Sequence, residues 1–405
     1  MLYNPAMIYR GLILNPQSSK KCDFYLDGGL FVKNGKVAGI GNFSKLIKKN
    51  KNEKIVDTKS VIIPAFTDIH LHWVQNRVKG SFSGTLLPWL KKHIWPEESK
   101  FAEKKYSDKM VGKFYKELAK NGTRNAIIYS SVHKYATEKS IIEGKKNGNF
   151  IIGNVLMDQN SPEYLQISTK EEIKIVESLA KKYKNAYVIT PRFAPTCSME
   201  LMEKVADIAK KYGCFIQTHL SENKDELSWV KALFPVQKSY TDVYYKAGLL
   251  GKHTVLGHCI HLSDDELKLL KKTGSKIAHC PTSNVALKSG TMPIEKILKY
   301  KIPFALATDI GAGPKLSMID VMKAYLKVHQ SKFVTPIDAL YRATLAGTEI
   351  MEISKNHGNL NKGKFAEFVI IPKKDLKLQG MKNISADQII RAFVNLDNLK
   401  IKMHV

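Results

Sequence analysis

Short apolar runs in this chain end repeatedly on residues that bind metals or carry protons. "SVIIPAFTDIHLH" closes on His70 and His72, "CFIQTHL" reaches His219, "HTVLGHC" reaches His258, "SKIAHCP" reaches His279, and "PFALATD" closes on Asp309. His70 and His72 are two residues apart, so on a strand both side chains leave the same face. A lone histidine in a core is more often structural than a ligand. Histidines ending the first, fifth and sixth runs, with an aspartate ending the eighth, need a common explanation, because buried titratable groups require partners. Three nitrogens and a carboxylate suit a borderline divalent ion, zinc first, with one position left for water.

A second polar ending is cationic. "NAYVIT" runs inward and is followed by "PRFAPTCS", which places Arg192 and Phe193 at a strand end with no acidic residue nearby in sequence. A guanidinium there needs an anionic or strongly dipolar partner, and the expectation is that the substrate supplies it.

The elements that would carry these groups are eight apolar runs of strand length: the six quoted above, with "GTRNAIIYSS" and "NFIIGNVLM". Between them lie segments with helical spacing, such as "STKEEIKIVESLAKKY" and "SMELMEKVADIAKKYG". Strands alternating with helices indicate repeated βα units, and eight of them suggest an α/β fold of the (β/α)8 TIM-like barrel type over residues 64–352, with its site at the carboxyl ends of the strands. The flanks break the alternation. Residues 1–63 ("GLFVKNGKVAGIG") and 353–405 ("FAEFVIIPKK") read as β-rich, and together they are expected to build one small β-sandwich from both chain ends.

Composition narrows the function classes. The 405 residues carry 64 Lys and Arg against 37 Asp and Glu, a formal charge of +27. Such a charge invites a nucleic-acid reading, yet only six of the cations are arginine and the lysines are dispersed, so the expectation is solvated faces and no specific nucleic acid. Five cysteines without a CxxC pair argue for reduced thiols, and Cys259 and Cys280 beside the site residues are read as packing. "MLYNPAMIYRGLIL" has no basic leader and no stretch reads as a membrane span, so the expectation is a cytoplasmic protein away from membranes.

"PAFTDIHLH", "QTHLSEN", "GHCIHLSDDEL", "AHCPTSN" and "ATD" together resemble the amidohydrolase superfamily, in its purine and aminohydrolase branch. The resemblance implies that His70, His72, His219 and Asp309 hold one zinc, with iron(II) as an alternative, and that His258 hydrogen-bonds the metal's water. Relatives with two metals bridge them through a lysine ending strand four, and "NAYVITPRFA" has none there. The resemblance also makes Glu222, in "HLSE", the proton shuttle for a ring nitrogen, and Asp309 the group that passes a proton to leaving ammonia. The structural competitor for Glu222 is a role at the start of a helix.

"TPRFAPTCS" is similar to the corresponding stretch of guanine deaminases, which implies that Arg192 binds the purine carbonyl, Phe193 packs on the ring and Gln75 bonds the base. "LLPWLKKHIWPEE" resembles their "WL…PxE" segment, so Trp89 and Leu90 are expected to line or close the pocket. The implied reaction is deamination of guanine to xanthine by a homodimer. "HIWPEE" and "NRVKG" look equally like deaminases of S-adenosylhomocysteine or methylthioadenosine, which are the alternative; a metal-bearing protein without turnover is a third reading. Trp73, bulky beside the ligands, is expected to narrow the pocket.

Overall fold

The computed structural model describes residues 6–82, 84–376, 384–396 and 399–404, and the remainder lies outside the described residues. In chain order the strands are β1 (Met7–Pro16), β2 (Cys22–Lys33), β3 (Lys36–Asn42), β4 (Lys54–Pro64), β5 (Phe66–His72), β6 (Thr123–Tyr129), β7 (Asn149–Gly153) and β8 (Val155–Leu156). They continue as β9 (Val188–Pro191), β10 (Phe215–Leu220), β11 (Thr254–His258), β12 (Lys276–His279), β13 (Phe304–Leu306), β14 (Phe368–Pro372) and β15 (Lys402–His404). The chain divides into two compact units, one of Met1–Thr67, Glu117–Asn125 and Ser317–Val405, the other of Asp68–Lys116 and Ala126–Leu316.

In the first unit both chain ends join one sheet of order β15-β14-β4-β1-β2-β3. β1 runs parallel to β4 and antiparallel to β2, while β14 pairs antiparallel along the other edge of β4, from Phe368 opposite Pro64 to Pro372 opposite Ser60. The two ends therefore meet, as one continuous hydrogen-bonded sheet where two facing layers were expected. Ile13, Leu30, Ile62 and Phe368 form its apolar core.

The helices Met318–Val328, Pro336–Ala343 and Leu345–Ile350 fall in this unit, although the alternating pattern of the sequence places them within 64–352. Their polar contacts explain the difference. Tyr325 donates to Asp338 at 2.7 Å, and the Ile337 amide donates to Asp387 at 3.1 Å, at the head of the helix Ala386–Val394.

The second unit carries the strand ends of interest. β8 through β13 pair in sequence order, each parallel to the next, and β5, β6 and β7 form a second sheet. All seven residues of β5 are buried, the continuous burial typical of strands covered on both faces. The eight apolar runs of the sequence all appear as strands, the first broken at Ala65 into β4, which joins the sheet of the first unit, and β5, and the third broken at Asn154 into β7 and β8.

Local signals set the helices between them. Ser168 and Ser198 cap the helices Thr169–Tyr183 and Met199–Tyr212 by accepting from backbone amides, and Ser263 with Glu266 forms a reciprocal capping box on Asp264–Thr273. Among the described residues no helix is long and apolar enough to cross a membrane.

Phe368 has no exposed surface and packs edge-on against Tyr9, with ring centroids 5.0 Å apart. Phe368→Ala is expected to cost ~3–5 kcal/mol through lost transfer energy and the cavity it leaves. A denaturant titration checks this, and an unchanged midpoint would show that the sheet does not depend on this ring.

Candidate active site

The ends of β5, β10, β11 and β13 meet around one set of donors. Ligand atoms of His70, His72, His219 and Asp309 all lie within 4.8 Å of one another. His70 Nε2 and His72 Nε2 stand 3.4 and 3.5 Å from the Asp309 carboxylate, and His72 Nε2 is 3.2 Å from His219 Nε2.

The chemistry of this set fits a divalent ion. His219 Nδ1 lies 2.6 Å from the Arg192 carbonyl, so that nitrogen carries the proton and Nε2 offers its lone pair to the centre. Both ring nitrogens of His70, and Nδ1 of His72, are buried without a hydrogen-bond partner among the described residues, a costly arrangement unless something else satisfies them. Burial holds all three imidazoles well below their ordinary pKa, which keeps them neutral and able to ligate. Tyr129 stacks on His72 with centroids 4.3 Å apart and fixes that ring's plane.

The backbone is shaped for these positions. The Asp68 carboxylate accepts from the amides of His70 and Thr308 and from the Thr308 hydroxyl, tying β5 to the residues after β13. The Asp309 amide then donates to the His70 carbonyl at 2.9 Å. Ser221, His258 and Asp309 have φ of +52°, +67° and +49°. Such left-handed values cost a non-glycine residue ~1–3 kcal/mol and cluster at functional sites. Gly257 is needed for space, because a Cβ there would sit 2.7 Å from His70 Cε1.

His258 does not belong to that set of four. Its Nδ1 pairs with Asn284 Oδ1 at 2.9 Å, and its Nε2 faces the carboxylates of Glu222 at 3.4 Å and Asp309 at 3.9 Å. With Cys280 and Asp309 it forms a second cluster of ligand type. Burial raises the Cys280 thiol well above its ordinary range, so it stays a neutral, poor ligand, in keeping with a packing role.

Glu222 is buried and lies just outside the helix Lys224–Leu233. The capping box there uses Asn223 and Glu226, leaving the Glu222 carboxylate free of that duty. Ser289 donates to it at 3.3 Å. Burial first, and the negative Asp309 second, push its pKa up to about 8, so at neutral pH it holds a proton.

A cavity opens over these groups and is also lined by Gln75, Leu86, Trp89, Leu90, Arg192, Phe193, Glu226 and Ala312. The residues named from the sequence for metal, proton transfer or substrate contact thus line a single pocket, except His70, which completes the donor set without lining it. Trp89 and Leu90 arrive on a short helical segment containing a π-helical turn at Leu90–Ile94, a feature frequent at functional sites.

Two expectations change. The sequence offers Arg192 no acidic residue nearby and gives the partner's role to the substrate, but its Nη1 donates to Glu98 Oε2 at 2.7 Å, both side chains being buried. Glu98, in "WPEE", is 94 residues away, so no local reading of "TPRFAPTCS" would find it. Trp73 was expected to narrow the pocket, but it points away into the core, donating to Ser130 at 2.9 Å and packing edge-on against Phe101. Two further residues gave no signal in the sequence: Glu226, which accepts from the Glu222 amide and from Tyr240, each at 2.8 Å, and Asn284, the residue that holds His258.

Residues 61–401 match the Amidohydrolase family. The chain is 36% identical over 375 residues to the guanine deaminase of Escherichia coli, an alignment covering 89% of this chain and 84% of that one. The solved structure of an E. coli guanine deaminase superposes with a TM-score of 0.91 at 32% identity, covering 98% of both chains. A guanine deaminase from C. acetobutylicum, solved with guanine bound in its active site, gives 0.89 at 32% identity over 96% of both chains.

Gly257→Ala is expected to displace the His70 ring and lower metal content at least tenfold after dialysis, since supporting groups of metal ligands typically change affinity ~10–100-fold. Metal analysis of the folded variant checks this; full occupancy would show that His70 tolerates the methyl.

Proposed function

The chain belongs to the amidohydrolase family, and we infer from that premise that it hydrolyses guanine at C2, giving xanthine and ammonia. The observation carrying this reading is a single cavity that joins the His70, His72, His219 and Asp309 donor set to a protonated acid, Glu222, and to a buried guanidinium and amide, Arg192 and Gln75. We read the strands β5 to β13 as one closed (β/α)8 barrel with this cavity at its carboxyl end.

Three imidazoles and a carboxylate favour zinc among divalent ions, with iron(II) as the alternative. Held there, such an ion supplies an acidified water as the nucleophile at neutral pH. The residues of the chain do the rest. Arg192 takes the carbonyl oxygen of the base, Gln75 bonds its ring edge, and Phe193, Trp89 and Leu90 enclose the rings and exclude bulk water. Glu222 delivers its proton to N3, so that C2 can become tetrahedral. Asp309, with His258 beside it, takes one proton of the attacking water and returns it to the departing ammonia, and the remaining proton of the C2 hydroxyl goes back to Glu222 as the carbonyl forms.

The polarity of the pocket argues against the alternative, a deaminase of S-adenosylhomocysteine or methylthioadenosine. An adenine would turn its exocyclic amine toward Arg192, donor against donor, leaving buried groups unpaired at ~1–3 kcal/mol each. The same reading includes a homodimer acting on a free purine.

Ammonia release from guanine, adenosine, S-adenosylhomocysteine and 8-oxoguanine, measured on metal-analysed protein, tests the assignment: guanine is expected to be fastest, and indifference to it overturns the reading. Glu222→Gln should keep its metal and lose at least ~100-fold in turnover, as expected for a missing general acid; near-normal turnover would mean a different proton donor. Arg192→Ala should raise the KM for guanine at unchanged metal content, and an unaltered KM would place the carbonyl elsewhere.

A further inference from the structure

Arg192 and Gln75 hang on one carboxylate. Glu98 has no exposed surface; its Oε2 accepts from Arg192 Nη1 at 2.7 Å and its Oε1 accepts from Gln75 Nε2 at 2.8 Å. An ionised carboxylate only accepts hydrogen bonds, so the Gln75 amide must turn its NH2 group to Glu98 and its oxygen away. That oxygen, Gln75 Oε1, is buried and has no hydrogen-bond partner among the described residues. Gly311 makes room for it, since a Cβ at that position would lie 2.0 Å from Oε1. Gln75 and Arg192 both line the cavity.

We propose that Glu98 is a positioning residue that sets substrate polarity: it fixes Gln75 as a hydrogen-bond acceptor beside Arg192 as a donor, so that the pair reads an adjoining N–H and C=O. This rests on the reading of guanine as substrate and extends it. The lactam edge of guanine, N1–H beside C6=O, presents that donor and acceptor in the required order. An amidine edge, with N1 as acceptor beside an amine, opposes both groups at once. Discrimination then comes from a carboxylate that never touches the base. A site built to satisfy such groups rejects the wrong partner strongly, because its own buried polar atoms are left unpaired.

The same geometry says what removing the charge does. In Glu98→Gln the new side-chain oxygen still accepts from Arg192, while its NH2 faces Gln75. Gln75 then relaxes by flipping its amide, and Nε2, a donor, takes the place of the accepting oxygen.

The test uses guanine and 2,6-diaminopurine, which shares the C2 amine but has the reversed edge, and reads kcat/KM for both with metal content and thermal midpoint alongside. Glu98→Gln is expected to lose at least ~100-fold on guanine and to lose less, or gain, on 2,6-diaminopurine, so that the ratio between the two falls at least tenfold. Glu98→Asp keeps the charge beside Arg192, and with it the fold, but is one methylene short for holding both groups; its ratio should fall too. A wild-type enzyme inactive on guanine would defeat the functional reading itself. Wild-type activity on guanine, with the ratio unchanged in either folded variant, would overturn the role assigned to Glu98.

Discussion

Polar groups buried without water must find partners inside the protein or in what the protein binds, and that requirement organises this molecule. The second unit places three imidazoles, three acidic side chains and a guanidinium around one cavity, with His70 completing the donor set. Some are satisfied internally: His219 by the Arg192 carbonyl, His258 by Asn284, and Arg192 by Glu98. Among the described residues the ring nitrogens of His70 and the Gln75 oxygen are not. In the reading proposed above, an ion answers one ring nitrogen of His70 and the base answers the Gln75 oxygen.

Holding those atoms apart has a cost that the fold absorbs. Three strand ends turn through left-handed backbone at Ser221, His258 and Asp309, and Gly257 and Gly311 stand where any side chain would strike His70 or Gln75. Asp68 offsets part of this by binding the backbone on both sides of the junction after β13. Burial, a liability for most carboxylates, is what makes Glu222 an acid at neutral pH.

Much of this was legible in the chain because a parallel α/β unit writes itself locally. Apolar runs of strand length, serine caps and the residue at each strand's carboxyl end are contiguous in sequence, so their order alone picks out His70, His72, His219, His258 and Asp309. What could not be read was pairing across distance. Arg192 looked unpartnered because Glu98 lies 94 residues earlier, and Trp73 looked intrusive because its side of the short turn after β5 depends on Ser130 and Phe101. The boundary between the units was equally hidden, since the helices from Met318 to Ile350 continue the alternating pattern while their polar contacts run to Asp387. Gly257 and Gly311 carry no sequence signal of their own; only the neighbours they admit reveal them.

The proposed chemistry rests on one divalent ion held by His70, His72, His219 and Asp309, whose ligand atoms lie within 4.8 Å of one another. Diffraction from metal-loaded crystals, measured on either side of the absorption edge of zinc, tests this most directly. A single anomalous peak is expected at coordination distance, ~2.0–2.2 Å, from those four side chains. A peak centred elsewhere, or two ions sharing the site, would contradict it.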